Sequence, residues 1–385
     1  MTADPTIALL QALVAIDSVN PSLVPGARGE EAVARRIAAE CLSIGLKVDV
    51  AEVAPGRPNV VAVLEGRAPG PSLMFCGHVD TVGVTGMNRP FEPVTRDGRL
   101  YGRGSQDMKG GVAAMIGAAR VIAEGGGLAS GRVIVAAVVD EEHSSIGADA
   151  LVASWRADAA VVTEPTDLNV AVAHKGFQWV EVETRGRAAH GSRPAEGRDA
   201  ILRMGRVLQR LEQLDRALQR RPSHSLLGTA SLHASLVGGG RELSSYPDRC
   251  TLTLERRTLP GEALDVGVVE VEEILGALRR EDAEFEAEAR AVFGRDAYEI
   301  ESSSRLPVAL VAAAQSAGCR PGKVGMTFWT DAAILGGAGI PSVLFGPGGA
   351  GLHSTEEYVR IEDVQMCRDV LVVLARDFTS RAAAP

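Results

Sequence analysis

The sequence predicts an α/β protein with a small α+β module inserted into it. Three observations carry this reading. Residues 1–176 alternate helical and strand-like hydrophobic patterns, residues 177–296 switch to strand–helix–strand–strand–helix–strand, and residues 297–385 return to the first pattern. Alternating strands and helices argue for a mostly parallel central sheet covered by helices. The middle order is that of a split βαβ, ferredoxin-like module, whose two helices cover one sheet face. The simplest topology is one α/β domain in two parts, 1–176 and 297–385, with the module 177–296 between them.

The opening "MTADPTIALLQALVAIDSVNPS" has no basic residue before its apolar stretch. It reads as an amphipathic helix ended near Asn20-Pro21 rather than a secretory leader. "EEAVARRIAAECLSIG" is helical, and "NVVAVLEG" and "SLMFCGHVD" are strands. "GGVAAMIGAARVIAEGG" is a helix closed by glycines. "RVIVAAVVD" and "ADAAVVTEPT" are apolar runs of strand length, each ending in acids. In the middle, "FQWVEVETRGRAAH", "ASLHASLVGGG", "RCTLTLERRTLPG" and "AEFEAEARAVF" are strands. Between them lie the helices "GRDAILRMGRVLQRLEQLDRALQR" and "LDVGVVEVEEILGALRR". The last part reads as a helix, "PVALVAAAQSAG", a strand, "PSVLFGPGG", and a final helix from about Glu362 to Arg376.

With 385 residues, 46% of them hydrophobic, the chain has apolar material for two domains. A net charge of −9 argues against nucleic acid or an anionic membrane as main partner. No apolar run approaches the ~18 residues of a membrane span. Five scattered cysteines without a CxxC pair suggest neither a disulfide framework nor a thiolate zinc site, and a reducing, cytoplasmic location is expected. Cys76, beside His78, reads as a small buried apolar residue rather than a reactive thiol.

The chemistry-bearing residues cluster at strand ends, where open α/β sheets bind ligands. "VIVAAVVDEEHSS" runs a buried strand into Asp140, Glu141 and Glu142. An ionised carboxylate buried without a partner costs on the order of several kcal/mol, so these acids call for a cation. "GHVDTV" offers His78, with Asp80 placed to hold the imidazole from behind, as carboxylates do at metals. "YGRGSQDMKGG" sets Asp107 in a glycine-dense turn before a helix, where an Asp can also serve as a cap. "VVTEPT" offers Glu164, which could equally be a solvated loop acid, and "GPGGAGLHSTEEYV" offers His353. The GxGxxG match at Gly346–Gly351 is set aside as a nucleotide site, because the helix and downstream acid of that unit do not follow. Histidines and carboxylates without thiolates suit Zn²⁺, Co²⁺ or Mn²⁺ in a catalytic site. Two ions sharing one carboxylate would use His78, Asp107, one of the paired glutamates, Glu164 and His353. The other glutamate would remain as a base.

Together, "GHVDTV", "GRGSQDMKGG", "VVDEEHSS", "TEPT", "GRAAHGSRPAEGRDAI", "ERRTLPGE" and "FGPGGAGLHSTEEYV" resemble the M20 metallopeptidases and deacylases. The group includes acetylornithine deacetylase, succinyl-diaminopimelate desuccinylase, aminoacylase and glutamate carboxypeptidase. The resemblance spans nearly the whole chain in the family's order. It implies a zinc-peptidase-like catalytic domain carrying an inserted lid and dimerisation domain. It also implies two divalent ions, Zn²⁺ first with Co²⁺ or Mn²⁺ as alternatives. His78 and Glu164 would hold one ion and Glu142 and His353 the other, with Asp107 bridging. Glu141 would be the general base and Asp80 would orient His78. His190 would stabilise the oxyanion in the site of a second subunit, and Arg257 would bind a substrate carboxylate. Asp331, in "FWTDAA", would stand behind the ligands, and the Asp107–Met108 bond is expected to be cis. One departure concerns "SSYPD", which places Ser244 where the family often has Asn, so the hold on the acyl group is left open.

The implied reaction is cleavage of an N-acyl amino acid amide in a homodimer formed through the inserted domain. The alternative is a carboxypeptidase or dipeptidase acting on a short peptide with the same machinery. A related aminopeptidase is disfavoured by the module between Glu164 and His353. A non-catalytic ligand-binding relative is disfavoured because every ligand and Glu141 are present.

Overall fold

The computed structural model describes residues 4–380. The chain forms two compact units. One holds the residues up to Val172, Ile300–Val324 and those from Thr330 on; the other holds Ala173–Glu299 and Gly325–Trp329. The short segment Gly325–Trp329 carries no sequence signal for its place in the second unit.

In the first unit the sheet runs in the order Lys47–Ala54, Arg57–Glu65, Arg132–Val138, Ser72–His78, Ala159–Val162, Ser342–Leu344 and Val170–His174, the last strand leading out of the unit. The four strands from Arg132–Val138 to Ser342–Leu344 are parallel to one another, and antiparallel pairs flank them. Their continuous apolar runs suit strands covered on both faces, and Ser72–His78 and Ala159–Val162 are buried throughout. Lys47–Ala54, at the edge, is charged and largely exposed. Helix Gly110–Glu124 is apolar nearly all round, as a helix packed between sheet and helices must be. It lies against Pro5–Val14, Ile361–Ser380 and strand Ser72–His78.

The first helix, Pro5–Val14, starts at an Asp4 cap and stops before the expected Asn20-Pro21 boundary. Its closing carbonyls are met there, Gln11 O accepting from the Ala15 N–H at 3.0 Å and Leu13 O from the Ile16 N–H at 3.2 Å, and the chain then turns so that Val19 bridges Thr81. Residues 15–20 therefore serve the sheet's ligand-bearing end. A small sheet of Val94–Arg96, Arg99–Tyr101, Gly349–Ala350 and Tyr358–Arg360 has strands too short for a sequence period to show.

The second unit follows the strand–helix–strand–strand–helix–strand order. Its antiparallel sheet is ordered Ser231–Gly239, Arg249–Thr258, Gly176–Arg185, Glu286–Arg295. Helices Ala200–Leu218 and Val266–Glu281 cover one face, so alternate residues such as Val180, Val182, Leu252 and Leu254 are buried against Val207, Leu211, Val271 and Leu275. Asp199 caps the first helix by accepting from the Leu202 N–H at 2.9 Å. Arg256 is buried on the same face, bonded to Glu262 at 2.7 Å and Glu270 at 2.9 Å. Removing one partner of a buried pair strands the other charge. Arg256→Met is therefore expected to lower the unfolding free energy by about 3–5 kcal/mol, as read from denaturant titration.

Candidate active site

His78 closes the parallel strand Ser72–His78, and its ring is buried. Nδ1 lies 3.1 Å from the Asp80 carbonyl oxygen, which can only accept. Nδ1 therefore carries a hydrogen, and Nε2 faces Asp107 Oδ1, 3.1 Å away. The Asp80 carboxylate is farther, 3.6 Å from Nδ1. It accepts from the Asn20 amide at 2.8 Å and from the Glu141 and Glu142 N–H groups at 3.2 Å each. Asp80 thus contacts His78 mainly through its backbone, while its side chain steadies the turn that carries the two glutamates.

Asp107 sits in a π-helical turn, Ser105–Lys109, rather than at a helix cap, and its bond to Met108 is cis. The turn is entered at Gly104, with φ +80°, where a Cβ would stand 2.7 Å from the Thr81 methyl carbon. The two carboxylate oxygens of Asp107 part company. Oδ1 faces His78 Nε2, and Oδ2 lies 3.4 Å from His353 Nε2. His353, at φ +58°, is also 3.1 Å from Glu142 Oε2. Glu164, just past strand Ala159–Val162, and Glu141 each bring an oxygen to 3.9 Å from His78 Nε2.

Asp140 has a different fate. Its carbonyl accepts from the N–H groups of His143, Ser144 and Ser145. Its carboxylate meets Ser144 Oγ at 2.6 Å, Arg57 Nη2 at 2.8 Å and Asn20 Nδ2 at 3.1 Å. Arg57 is itself paired with buried Glu30. The first of the three consecutive acids is therefore neutralised by an arginine and shapes the turn, leaving its two neighbours to the site.

The electrostatics ask for a cation. Burial pushes Glu141 and Glu164 well above the usual carboxylate range, and neighbouring carboxylates, Asp331 among them, add to this. Burial and the Asp107 charge raise Glu142 as well, and its Oε1 is buried with no hydrogen-bond partner. Asp107 is buried too, but hydrogen bonds from His353 and His78 hold it below the ordinary range. Hydrogen bonds to Asp107 and Glu142 push His353 up to about 10. Burial alone would lower His78; contacts with Asp107 and Asp80 keep it well above the usual imidazole value. The raised carboxylate and imidazole values together mark a surplus of negative charge that divalent ions would neutralise. Two sets of donors, His78–Glu141–Glu164 and His78–Asp107–Glu142, each fall within 4.8 Å of one another. Borderline nitrogen and hard oxygen donors, an orphaned buried oxygen and a carboxylate shared between two imidazoles fit divalent transition ions.

His190 and Arg257 belong to the second unit. His190 Nδ1 lies 2.8 Å from Ser192 Oγ, and its loop bridges the Ser244–Ser245 stretch, with the Gly191 N–H donating to Ser244 O at 2.7 Å. Arg257 donates through Nε to Glu255 Oε1 at 2.6 Å and stands 5.5 Å over the Phe177 ring. Asn20, Arg57 and Glu30 also support the site, and no sequence pattern points to them. Asn20 before Pro21 signals a helix stop, and Arg57 before Pro58 signals a turn; neither pattern names a distant carboxylate.

This sheet, with its buried histidine and carboxylate donors at the strand ends, defines a metal-dependent hydrolase. Residues 74–377 match the model of Peptidase family M20/M25/M40, and the chain belongs to that family, whose enzymes act on carbon–nitrogen bonds. It is 32% identical over 322 residues to the acetylornithine deacetylase of Myxococcus xanthus, covering 82% of each chain. It is 30% identical over 374 residues to the N-formyl-4-amino-5-aminomethyl-2-methylpyrimidine deformylase of Bacillus subtilis, covering 88% of this chain and 87% of the relative. A solved Bacillus subtilis protein, described as a dinuclear metal-binding peptidase of the M20 family, superposes with a TM-score of 0.75 over 97% of both chains at 16% identity, a likeness of fold. Among the described residues no helix is long and apolar enough to cross a membrane.

Proposed function

We propose that the protein is a two-metal deacylase that hydrolyses the amide bond of an N-acyl amino acid. The observation that carries this is the split of Asp107, one oxygen toward His78 and the other toward His353. His78 and Glu164 would hold one ion and Glu142 and His353 the other, with Asp107 shared between them. Zn²⁺ suits these donors best, and Co²⁺ or Mn²⁺ would be accepted. Bound there, the ions supply Lewis acidity and lower the pKa of water toward about 7.

Glu141 takes the proton of the attacking water and returns it to the leaving amine. A carboxyl whose pKa is raised by burial suits both duties. His190 donates a hydrogen bond to the developing oxyanion. Arg257, fixed through Nε by Glu255, offers its terminal nitrogens to the substrate carboxylate. The products are a carboxylate and a free amine. Both curated relatives are named for removing an acyl group, which favours an acyl amide over a peptide bond. The five unpaired cysteines favour a cytoplasmic setting.

The test is amine release from N-acetyl, N-formyl, N-succinyl and N-carbamoyl amino acids and from dipeptides, with Zn²⁺- or Co²⁺-loaded protein. Turnover of one acyl class, abolished by a chelator, is expected. Turnover of dipeptides alone would make the protein a peptidase instead.

The protein is further proposed to be a homodimer. Strand Ser231–Gly239 is a sheet edge with Leu236 72% and Val237 62% exposed, a surface suited to pairing with a second copy. In such a dimer His190 would serve the partner's site. Mixing inactive Glu141→Ala and His190→Ala chains under subunit exchange is then expected to restore activity in the mixed dimers, each with one intact site. No recovery would place His190 in its own subunit's site or outside the chemistry.

A further inference from the structure

Burying an ion pair is costly unless its remaining hydrogen-bonding capacity is used. Arg103 and Glu357 form such a pair in the first unit, 4% and 1% exposed, with Nη1 donating to Oε2 at 2.6 Å. The rest of Glu357 is spent on one stretch of backbone. Oε2 accepts from the Gly104 N–H at 3.0 Å, and Oε1 accepts from Gln106 at 2.9 Å and from Asp107 at 3.2 Å. Asp107 and Met108 have non-helical backbone angles, so this turn is not held by a regular helical ladder. An ionised carboxylate is acceptor-only, with about four lone-pair sites, and matches three N–H groups and a guanidinium.

Arg103 extends the same grip. Its Nη2 donates to the Gly83 carbonyl at 3.1 Å and to the Ser354 carbonyl at 3.0 Å. Ser354 follows His353 directly, and Gly83 lies on the loop leaving His78 and Asp80. One buried pair therefore joins the backbone at Asp107 to the loops carrying both histidines.

We propose that Arg103 and Glu357 are positioning residues of the metal centre, clamping three loops so that the two oxygens of Asp107 face two ions. The inference rests on the two-ion reading above. Glu357 fixes the turn that aims Asp107, and Arg103 fixes the backbone directly after His353. The partners of a metal's ligands commonly influence affinity by about 10- to 100-fold.

The experiment is titration of Co²⁺ into the metal-free full-length chain, followed by calorimetry and visible absorption. The variants are Glu357→Gln, Arg103→Lys and, as a control, Arg256→Met from the second unit's buried ion pair. Glu357→Gln puts an amide donor among donors. Arg103→Lys keeps the charge but has one nitrogen where the guanidinium uses two. Both are expected to bind Co²⁺ about 10- to 100-fold more weakly and to show altered cobalt bands while their far-UV circular dichroism stays native. Arg256→Met should melt lower yet bind both ions as the wild type does. A folded Glu357→Gln or Arg103→Lys protein with wild-type affinity and spectrum would overturn the clamp; if Glu357→Gln does not fold, Arg103→Lys decides. Wild-type protein taking fewer than two ions would instead overturn the two-ion reading and the clamp with it.

Discussion

Glu141→Ala is expected to lower kcat by about 10²–10⁴-fold, the range for losing a positioned general acid–base group, while the protein still binds two ions. The neighbouring glutamate should behave differently. Glu142 Oε2 stands 3.1 Å from His353 Nε2, whereas Glu141 Oε2 is 3.9 Å from His78 Nε2. Glu142→Ala should therefore lose an ion as well as activity. Metal content measured on both variants separates the roles. If Glu141→Ala loses an ion and Glu142→Ala keeps both, the base and the ligand must be exchanged.

Chelation is expected to abolish turnover, and the affinity for metal should rise with pH. His353 is pushed up to about 10 by Asp107 and Glu142, above the ~6.5 of an unperturbed imidazole. The stability this proton lends the metal-free protein is thus fully present below ~6.5 and lost as pH rises through about 10. A metal ion must displace that proton, so binding near neutral pH should release protons and strengthen as the solution becomes more alkaline. Lys109, buried and lowered to about 7, changes stability in the opposite sense over an overlapping range. The test is therefore a comparison of metal-loaded with metal-free protein at each pH, together with calorimetry in buffers of different ionisation enthalpy. Absence of proton release at pH 7.5 would contradict a protonated His353 in the metal-free site.

The candidate site residues are legible because each breaks an apolar strand or closes a glycine-rich turn: His78 after "SLMFCG", Glu141 and Glu142 after "VIVAAVV", Glu164 after "AAVV". A charged residue ending a buried run has few places to go but the strand-end cleft. The residues that hold these candidates in place are not legible. Asn20 reaches Asp80 across 60 positions and Asp140 across 120, and Glu357 reaches Asp107 across 250. No local period or turn rule relates residues so far apart. The first helix is shorter than its local pattern predicts for a related reason: residues 15–20 are drawn toward the sheet by partners the local pattern does not contain.

The sequence by itself determined the longer secondary elements, the inserted module and the donor types at the strand ends, because hydrophobic period and side-chain chemistry are local properties. Only the tertiary structure decided that Asp140 is neutralised by Arg57, that Asp107 divides its oxygens between two imidazoles, and that Glu357 anchors the turn beneath it. Those outcomes depend on hydrogen-bond and ion-pair geometry a few ångströms in reach between loops far apart in the chain, and such distances exist only once the sheet has brought the loops to one edge.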